Sequence, residues 1–186
     1  MTASPGNRSQ PFATSGASRY IGVVQYRLYQ DGDFPRIYAI ENVCFNPPLR
    51  FGRQMMRELI AGGNSATWIA EQENAVLGFA IVEWGDDGDG LTAYIPTLEV
   101  LPGERRRGIG AELLSRLEAS AAQAGAGLIW LHVDAKNEAA IRLYRAAGYE
   151  QKGRHEHYYA RYRAAEIYAK ALTPEDRQPS PDDVET

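Results

Sequence analysis

The sequence is poor in cysteine and has no long apolar run. Cys44 is the only cysteine among 186 residues, so no intrachain disulfide can form and zinc sites built on paired cysteines are excluded. No stretch is long and apolar enough to cross a bilayer, and the first residues lack the apolar segment of a signal peptide. We therefore expect a soluble protein of the cytoplasm.

A basic excess is also missing. The 20 Lys and Arg are outnumbered by 24 Asp and Glu, which gives a formal net charge of −4. Residues 173–186 carry that −4 by themselves, with five acids and one arginine, so the rest of the chain is close to neutral. Proteins that bind nucleic acid or anionic membranes need a basic surface to neutralise phosphates. We expect neither partner, and any phosphate site has to be local.

Length and composition are typical of one soluble domain with tails. Hydrophobic residues make up 44% of the chain and charged residues 24%. Ser, Pro, Gly and Thr dominate residues 1–18, while prolines and acids dominate residues 173–186. Neither end can build a core, so both are predicted to be disordered tails. Residues 19–172 then form the folded domain.

The hydrophobic pattern of this domain alternates between the strand period and the helix period. Asp33 and Asn137 are predicted to cap helices, and Phe51, Met55 and Leu59 to form the buried stripe of another. The order of elements predicts an α/β fold with a mixed sheet, antiparallel early and parallel across a late βαβ unit. The predicted strands are 20–29, 67–72, 76–84, 91–101, 128–134, 149–158 and 165–172; the helices run from 34 to the prolines at 47 and 48, and over 51–61, 108–124 and 137–147.

One turn carries the strongest chemical signal. This turn follows a predicted strand and leads into the amphipathic helix predicted over 108–124. Its sequence is Arg105-Arg106-Arg107-Gly108-Ile109-Gly110, followed by Ala111. A helix N-terminus presents unpaired N–H groups and positive dipole charge, and glycine permits close backbone approach. The turn therefore predicts a site for a cofactor pyrophosphate, although a capped helix with a solvated basic turn has the same pattern. Leu113 stands where a dinucleotide fingerprint needs Gly or Ala, and no P-loop Gly-Lys-Ser/Thr follows.

Two further segments accompany the turn. Asn137-Glu-Ala-Ala-Ile-Arg-Leu-Tyr144 and Ala147-Gly148-Tyr149 follow it in an order and spacing that resemble the GNAT superfamily of acetyl-CoA-dependent N-acetyltransferases. YIPTLEVLP at 94–102, LHV at 131–133 and HYY at 157–159 are similar to the protein N-terminal branch, whose bacterial members acetylate the N-terminal alanine of a ribosomal protein. The resemblance covers about residues 20–172. It implies a GNAT fold, with a mixed, mostly antiparallel sheet splayed between its fourth and fifth strands and flanked by about four helices.

The resemblance also implies how acetyl-CoA binds. In this family the pantetheine arm bonds to strand backbone in the gap of the sheet, at positions that correspond to Leu98, Glu99 and Val100. Asn137 is expected to contact the same arm, besides capping a helix. A backbone N–H near Val100, left unpaired by a bulge, is expected to polarise the thioester carbonyl. The pyrophosphate is expected at Arg105 to Ala111.

Acetyl transfer to an amine needs a base for the nucleophile and a proton for the departing thiolate. His132 is the first candidate base, since an imidazole of pKa about 6.5 is well matched to an α-amine of about 8; a packed histidine is the alternative interpretation. Tyr94 and Glu99 are further candidates by the resemblance, and the bacterial relatives have a Glu where this chain has His132. The resemblance places Tyr144 beside the cofactor sulfur as the acid, with core packing as its alternative role.

The acceptor is expected to be a primary amine, above all the N-terminal α-amine of a protein or peptide such as a ribosomal protein. A small-molecule amine acetyltransferase and a noncatalytic acyl-CoA-binding module are the alternatives. No metal site is expected, because His155 and His157 lack a third ligand at useful spacing. We expect a monomer or homodimer. By the resemblance, the loop after the first helix and the final hairpin bind the acceptor through Phe45, Asn46, Pro47, Tyr158 and Tyr159.

Overall fold

The computed structural model describes residues 22–86, 88–173 and 176. They form one seven-stranded sheet, in the order β1-β2-β3-β4-β5-β7-β6, with helices on both faces. The strands are β1 Gln25–Leu28, β2 Ser65–Gln72, β3 Ala75–Asp86, β4 Leu91–Val100, β5 Leu128–Asp134, β6 Glu150–Ala160 and β7 Arg163–Ala171; the helices are α1 Phe34–Cys44, α2 Arg53–Ala61, α3 Ile109–Ala124 and α4 Glu138–Ala146.

These elements confirm the predicted order of strands and helices. The first strand is shorter than predicted, because it occupies only Gln25–Leu28 of the predicted 20–29. The predicted tail over 1–18 lies outside the described residues, as do all of 173–186 except Thr173 and Asp176. In the part that is described, no helix is long and apolar enough to span a membrane.

Asp33 occupies the predicted N-cap position of α1 but bonds elsewhere. Its carboxylate makes no capping bond; it accepts hydrogen bonds from Arg27 at 2.6 Å, from Arg36 at 2.8 Å and from the backbone N–H of Gln30 at 2.9 Å. These bonds, with the Arg27 bond first, hold the pKa of Asp33 below its ordinary value despite its burial. The side chain therefore ties β1 to the start of α1.

The two faces of the sheet carry separate hydrophobic clusters. Along β3, Ala80 and Val82 belong to the cluster under α3, whereas Phe79 and Ile81 belong to the cluster under α1 and α2. Alternation along a strand sends successive side chains to opposite faces, so α3 lies on one face and α1 and α2 on the other. In α2 the predicted stripe is wrong at one position: Met55 is half exposed, and Met56 takes the fully buried place.

The predicted splay between the fourth and fifth strands is confirmed. β4 pairs with β5 in parallel only from Thr92 opposite Leu128 to Tyr94 opposite Trp130. Immediately afterwards β4 contains a bulge, where Ile95 and Pro96 oppose the single residue Val82 of β3. The bulge was expected near Val100, so that prediction is wrong in position. Beyond Tyr94 the two strands diverge and leave a gap in the sheet.

Candidate active site

A cavity of about 340 Å³ lies where β4 leaves β5. Its walls come from the bulged part of β4, the end of β5, the first turns of α4, the tip of the β6–β7 hairpin and the loop between α1 and α2. The predicted site residues that line it are Phe45, Tyr94, Leu98, His132, Asn137, Tyr144, Tyr158 and Tyr159. The structure therefore brings the candidate base His132, the candidate acid Tyr144 and the predicted acceptor-binding tyrosines to one cavity.

Other predicted residues lie outside the lining. Asn46 and Pro47 are exposed in the α1–α2 loop beside the lining residues Phe45 and Pro48. Glu99 and Val100 do not line the cavity either, and residues 105–111 lie further along the gap. The lining also includes Glu83, Pro48 and Leu49, which the sequence analysis did not single out, because loop and strand residues of this kind carry no catalytic signature.

His132 lies at the centre of an aromatic cluster. The Tyr94 hydroxyl is 3.3 Å from its Nδ1, and the Tyr158 ring stacks on the imidazole at 4.3 Å between centroids, with 14° between the planes. The Trp130 ring meets it edge-on at 5.4 Å. Burial, and then the neighbouring His155, lower the pKa of His132 below its ordinary value. At neutral pH the imidazole is therefore uncharged and can accept a proton.

Tyr94 and Tyr144 both keep their protons at neutral pH. Burial, followed by the nearby Tyr158, raises the pKa of Tyr94 well above its ordinary value. Tyr144 is 7% exposed, and its burial, followed by Tyr159, raises its pKa in the same direction. Tyr94 therefore keeps a proton that it can donate and is not itself a base, and Tyr144 has the protonated phenol that a general acid requires.

The carboxyl of Glu99 is directed away from this cluster. It is 2% exposed, and Oε1 accepts a hydrogen bond from the Thr97 hydroxyl at 2.8 Å. Burial and then the adjacent carboxyl of Glu41 raise the pKa of Glu99 to about 10. Glu41 itself is buried and accepts the Phe51 N–H at 2.6 Å. Glu99 is thus a protonated member of a buried pair, and the structure does not place it with the other base candidates.

The glycine turn has the form expected of a phosphate site. Gly108 has φ +81° and stands at the N-cap of α3, a conformation that a side chain strains. The first helical bond runs from Glu112 N–H to Gly108 O, so the N–H groups of Ile109, Gly110 and Ala111 have no partner within the helix. A Cβ at Gly110 would lie 3.7 Å from Leu98, so the turn adjoins the cavity. These residues fit a pyrophosphate next to the gap.

The three arginines have different surroundings. Arg105 donates from Nε to Val100 O at 3.0 Å and extends toward Cys44 Sγ. Arg107 pairs with Glu104 and donates to Gln72 Oε1 at 2.9 Å, so its guanidinium is held at the end of β2. Arg106 is exposed. All three arginines are exposed beside the helix N-terminus, and Arg105 and Arg107 are in addition bonded to protein groups.

The backbone of β4 is divided between β3 and the gap. Leu101 N–H donates to Leu77 O at 2.8 Å, and alternation in an antiparallel ladder then turns the N–H and C=O groups of Leu98 and Val100 away from β3. Both face the gap that β5 vacates, although Val100 O already accepts from Arg105. The backbone of Glu99 faces β3. Two of the three predicted backbone contacts are consequently in reach of a ligand in the gap.

Asn137 confirms its predicted capping role. Its Oδ1 accepts the Ala140 N–H at 3.2 Å, which fixes the first turn of α4 and with it the side of the cavity that carries Tyr144. Asn137 itself is exposed and lines the cavity.

Within the described residues, no group of three or more His, Cys, Asp or Glu side chains is arranged to hold a metal ion.

Comparisons of sequence identify relatives of this chain. The Acetyltransferase (GNAT) family model matches residues 34–149. A Mycobacterium tuberculosis protein named as an uncharacterized N-acetyltransferase is 31% identical over 119 residues, which are 64% of this chain and 74% of that protein. The streptothricin acetyltransferase of Streptomyces lavendulae is 38% identical over 87 residues, which are 46% of this chain and 45% of that enzyme.

Comparisons of structure agree with the sequence relatives. The ribosomal-protein-S18-alanine N-acetyltransferase from Escherichia coli has a TM-score of 0.72 at 23% identity, over 86% of this chain and 98% of that one. Arabidopsis thaliana Naa50, in complex with the bisubstrate analogue CoA-Ac-MVNAL, has a TM-score of 0.69 at 26% identity, over 79% and 97%. The matched family model spans the splayed strands, the glycine turn and α4, and so the chain belongs to the GNAT family of N-acetyltransferases, enzymes that use acetyl-CoA.

Proposed function

We propose that this enzyme transfers the acetyl group of acetyl-CoA directly to the N-terminal α-amine of a protein or peptide. The observation that carries the proposal is a pair of neighbouring cavities along β4. A second cavity, of about 470 Å³, shares Glu83 and Tyr94 with the first, and its other walls include Trp84 and Trp130. An extended chain whose amine lies at His132 has room to continue past Tyr94, whereas a small amine needs only the first cavity.

The cofactor is proposed to lie along the gap. The N–H groups at the start of α3 and the exposed Arg106 would hold its pyrophosphate, while Leu98 and Val100 offer backbone groups to the pantetheine arm. When bound, acetyl-CoA supplies an acetyl group activated as a thioester. The Val100 N–H, turned toward the gap, is available to polarise the thioester carbonyl. Asn137 and Tyr144 border the same space from α4.

The protein's own groups handle the protons. His132 is uncharged, and its Nδ1 lies next to the Tyr94 hydroxyl. A proton can therefore pass from the acceptor amine to Tyr94 and from Tyr94 to His132. Tyr144 holds its proton for the sulfur of the departing thiolate. No side chain in the lining is a cysteine or serine positioned beside a base, which favours direct transfer over a covalent intermediate on the enzyme.

The acceptor peptide is proposed to lie between two aromatic walls. Tyr158 and Tyr159 of the hairpin meet at 4.9 Å with their rings nearly perpendicular, and Phe45 faces them from the α1–α2 loop side of the cavity. Tyrosine rings enclose a small first residue and leave hydroxyls for its backbone. The likeness to Naa50 bound to an analogue that contains a peptide supports this arrangement.

The second candidate is acetylation of a small-molecule amine. The match to streptothricin acetyltransferase over 87 residues favours it, although that match spans less than half of either chain. The two candidates share the cofactor site and differ in the use of the second cavity, so acceptor length separates them.

Mass spectrometry tests the proposal. The enzyme is incubated with acetyl-CoA and an Ala-initiated peptide that has a free N-terminus and one internal lysine; the matched control is the same peptide with a blocked N-terminus. We expect one acetyl group on the α-amine and none on the control. Modification of the lysine alone, or of streptothricin in preference to every peptide, would contradict the proposal.

A further inference from the structure

His155 contacts His132 although the two lie on strands that do not pair. His132 is on β5 and His155 on β6, with β7 between them, yet His132 Nε2 is 3.4 Å from His155 Nδ1. The two ring centroids are 5.2 Å apart. His155 does not line the cavity and is exposed, so this contact extends the half-buried aromatic cluster to solvent.

The register of β7 explains how the two rings meet. His132 pairs with Ile167 on one side of β7, and His155 pairs with Ala165 on the other. Directly paired residues project on one face of a sheet, and residues two apart share a face, so all four side chains lie on the same face. On β7, Ile167 lies beside His132, and Ala165 lies beside His155, where it presents only a methyl group on this face. That small residue lets the imidazoles touch above the intervening strand.

The two contacts of His132 define one protonation state. Tyr94 is protonated, and we assign its hydroxyl as the donor to Nδ1, so that Nδ1 of the neutral imidazole carries no hydrogen. The hydrogen is then on Nε2, which donates to Nδ1 of His155. The Tyr158 ring covers one face of His132, and the Trp130 ring approaches it edge-on. The two ring nitrogens contact Tyr94 and His155.

Charges near His155 are already paired. Its neighbours on β6, Arg154 and Glu156, bond to each other at 2.6 Å, and Arg154 also bonds to Glu166 of β7 at 2.6 Å. From β5 the imidazole faces His132, and the Tyr158 ring of its own strand is 5.9 Å away. Asp134 of β5 lies on the same face, opposite Ala165, and its carboxylate accepts hydrogen bonds from Arg163 of β7 at 2.5 and 2.9 Å. The charged groups on this face are therefore paired with one another, and the contact made by Nδ1 of His155 is with His132.

We propose that His155 is the proton outlet of the active site, which takes the proton of the acceptor amine from His132 and releases it to water. This inference rests on the proposed function. The amine N–H breaks as a proton joins the Tyr94 oxygen, and the Tyr94 proton moves to Nδ1 of His132. The Nε2 proton of His132 passes to Nδ1 of His155, and the Nε2 proton of His155 leaves to solvent. Tyr94 is unchanged, and each imidazole ends as its other neutral tautomer.

Kinetics of His155→Ala test the outlet, with Glu156→Gln, an exposed neighbour on the same strand, as the matched control. The substrate is whichever amine the wild-type enzyme acetylates. In dilute buffer we expect kcat to fall by about fivefold or more while KM stays unchanged, because only proton transfer is impaired. Added imidazole should restore kcat in His155→Ala and leave Glu156→Gln unaffected. Wild-type kcat in dilute buffer, or a loss that imidazole does not reverse, would overturn the proposal.

A measurement without turnover separates this inference from the proposed function. The chain has 3 histidines, so ¹⁵N-histidine NMR can assign the His132 ring with few signals. We expect the Nε2–H tautomer in the wild type, and in His155→Ala a changed Nε2 signal with a raised pKa of His132. A His132 ring in the Nδ1–H tautomer, or one indifferent to loss of His155, would overturn the relay even if α-amines are acetylated.

Discussion

The substitution Glu99→Gln tests whether the buried Glu99–Glu41 pair affects the stability of the fold rather than catalysis in the cavity. Gln keeps an oxygen for the Thr97 hydroxyl and supplies N–H groups toward Glu41, where protonated Glu99 supplies its own proton. Because the side chain is 2% exposed and does not line the cavity, we expect kcat to remain within about twofold of wild type. Stability is expected to change instead.

The sign of that change follows from the raised pKa of Glu99. Its value is about 10 in the folded protein and 4.5 as the reference for the unfolded chain. Between these values the folded state binds more protons than the unfolded state, so the stability from this group is complete below pH 4.5 and declines as pH rises toward 10. One pKa unit corresponds to about 1.4 kcal/mol, which makes the cost at pH 7 at most about 3 kcal/mol.

Urea unfolding at pH 5, 7 and 9 measures the effect, with Glu58→Gln on the exposed side of α2 as control. Gln cannot ionise, so the free energy of unfolding of Glu99→Gln minus that of wild type should be smallest at pH 5 and grow by about 1.4 kcal/mol per pH unit above it. The control should show no such slope. A stability difference between variant and wild type that does not change with pH would refute the buried protonated carboxyl. A hundredfold loss of kcat would show that Glu99 takes part in catalysis.

Three further changes probe the rest of the site. Tyr144→Phe should leave the acetyl-CoA affinity measured by calorimetry unchanged and lower kcat by about tenfold or more, since only the acidic proton is lost; wild-type kcat would remove Tyr144 from the mechanism. Gly108→Val should abolish calorimetric binding of acetyl-CoA, because φ +81° excludes a β-branched residue, and unchanged affinity would refute the phosphate site. Gly78→Ala should destabilise the fold by about 2 kcal/mol or more in urea, because its Cβ would lie 2.5 Å from Glu99 O; Gly127→Ala, with nothing within 4 Å, is the control, and equal stability of the two variants would contradict the close approach.

Features that depend on neighbouring residues in the chain could be predicted. Asn137 caps α4 through a bond from the Ala140 N–H to its own side-chain oxygen. Both groups belong to the same helix start, so this bond does not depend on where the helix lies in the fold. Glu73 and Asn74 both have positive φ and turn β2 into β3, as a two-residue hairpin requires. The glycine turn likewise belongs to one strand and the helix that follows it.

Features that depend on contacts between strands distant in the sequence could not be predicted. The bulge at Ile95 and Pro96 exists only in the pairing with β3, and the direction of Glu99 follows from that register. The contact of His132 with His155 requires β7 to lie between their strands and to carry Ala165 at the crossing. His155 and His157 are two apart and look equivalent in sequence, yet Nδ1 of His157 accepts the N–H of Tyr162 instead.

The most direct test of the central claim is the affinity of a bisubstrate compound, in which CoA is joined through an acetyl group to the α-amine of an Ala-initiated peptide. Calorimetry would compare it with CoA and with the same peptide joined through a lysine side chain. If the α-amine and the cofactor meet at His132, the α-linked compound should bind at least about tenfold more tightly than either comparison, a gain of about 1.4 kcal/mol. Equal affinity for CoA and the α-linked compound would contradict the account.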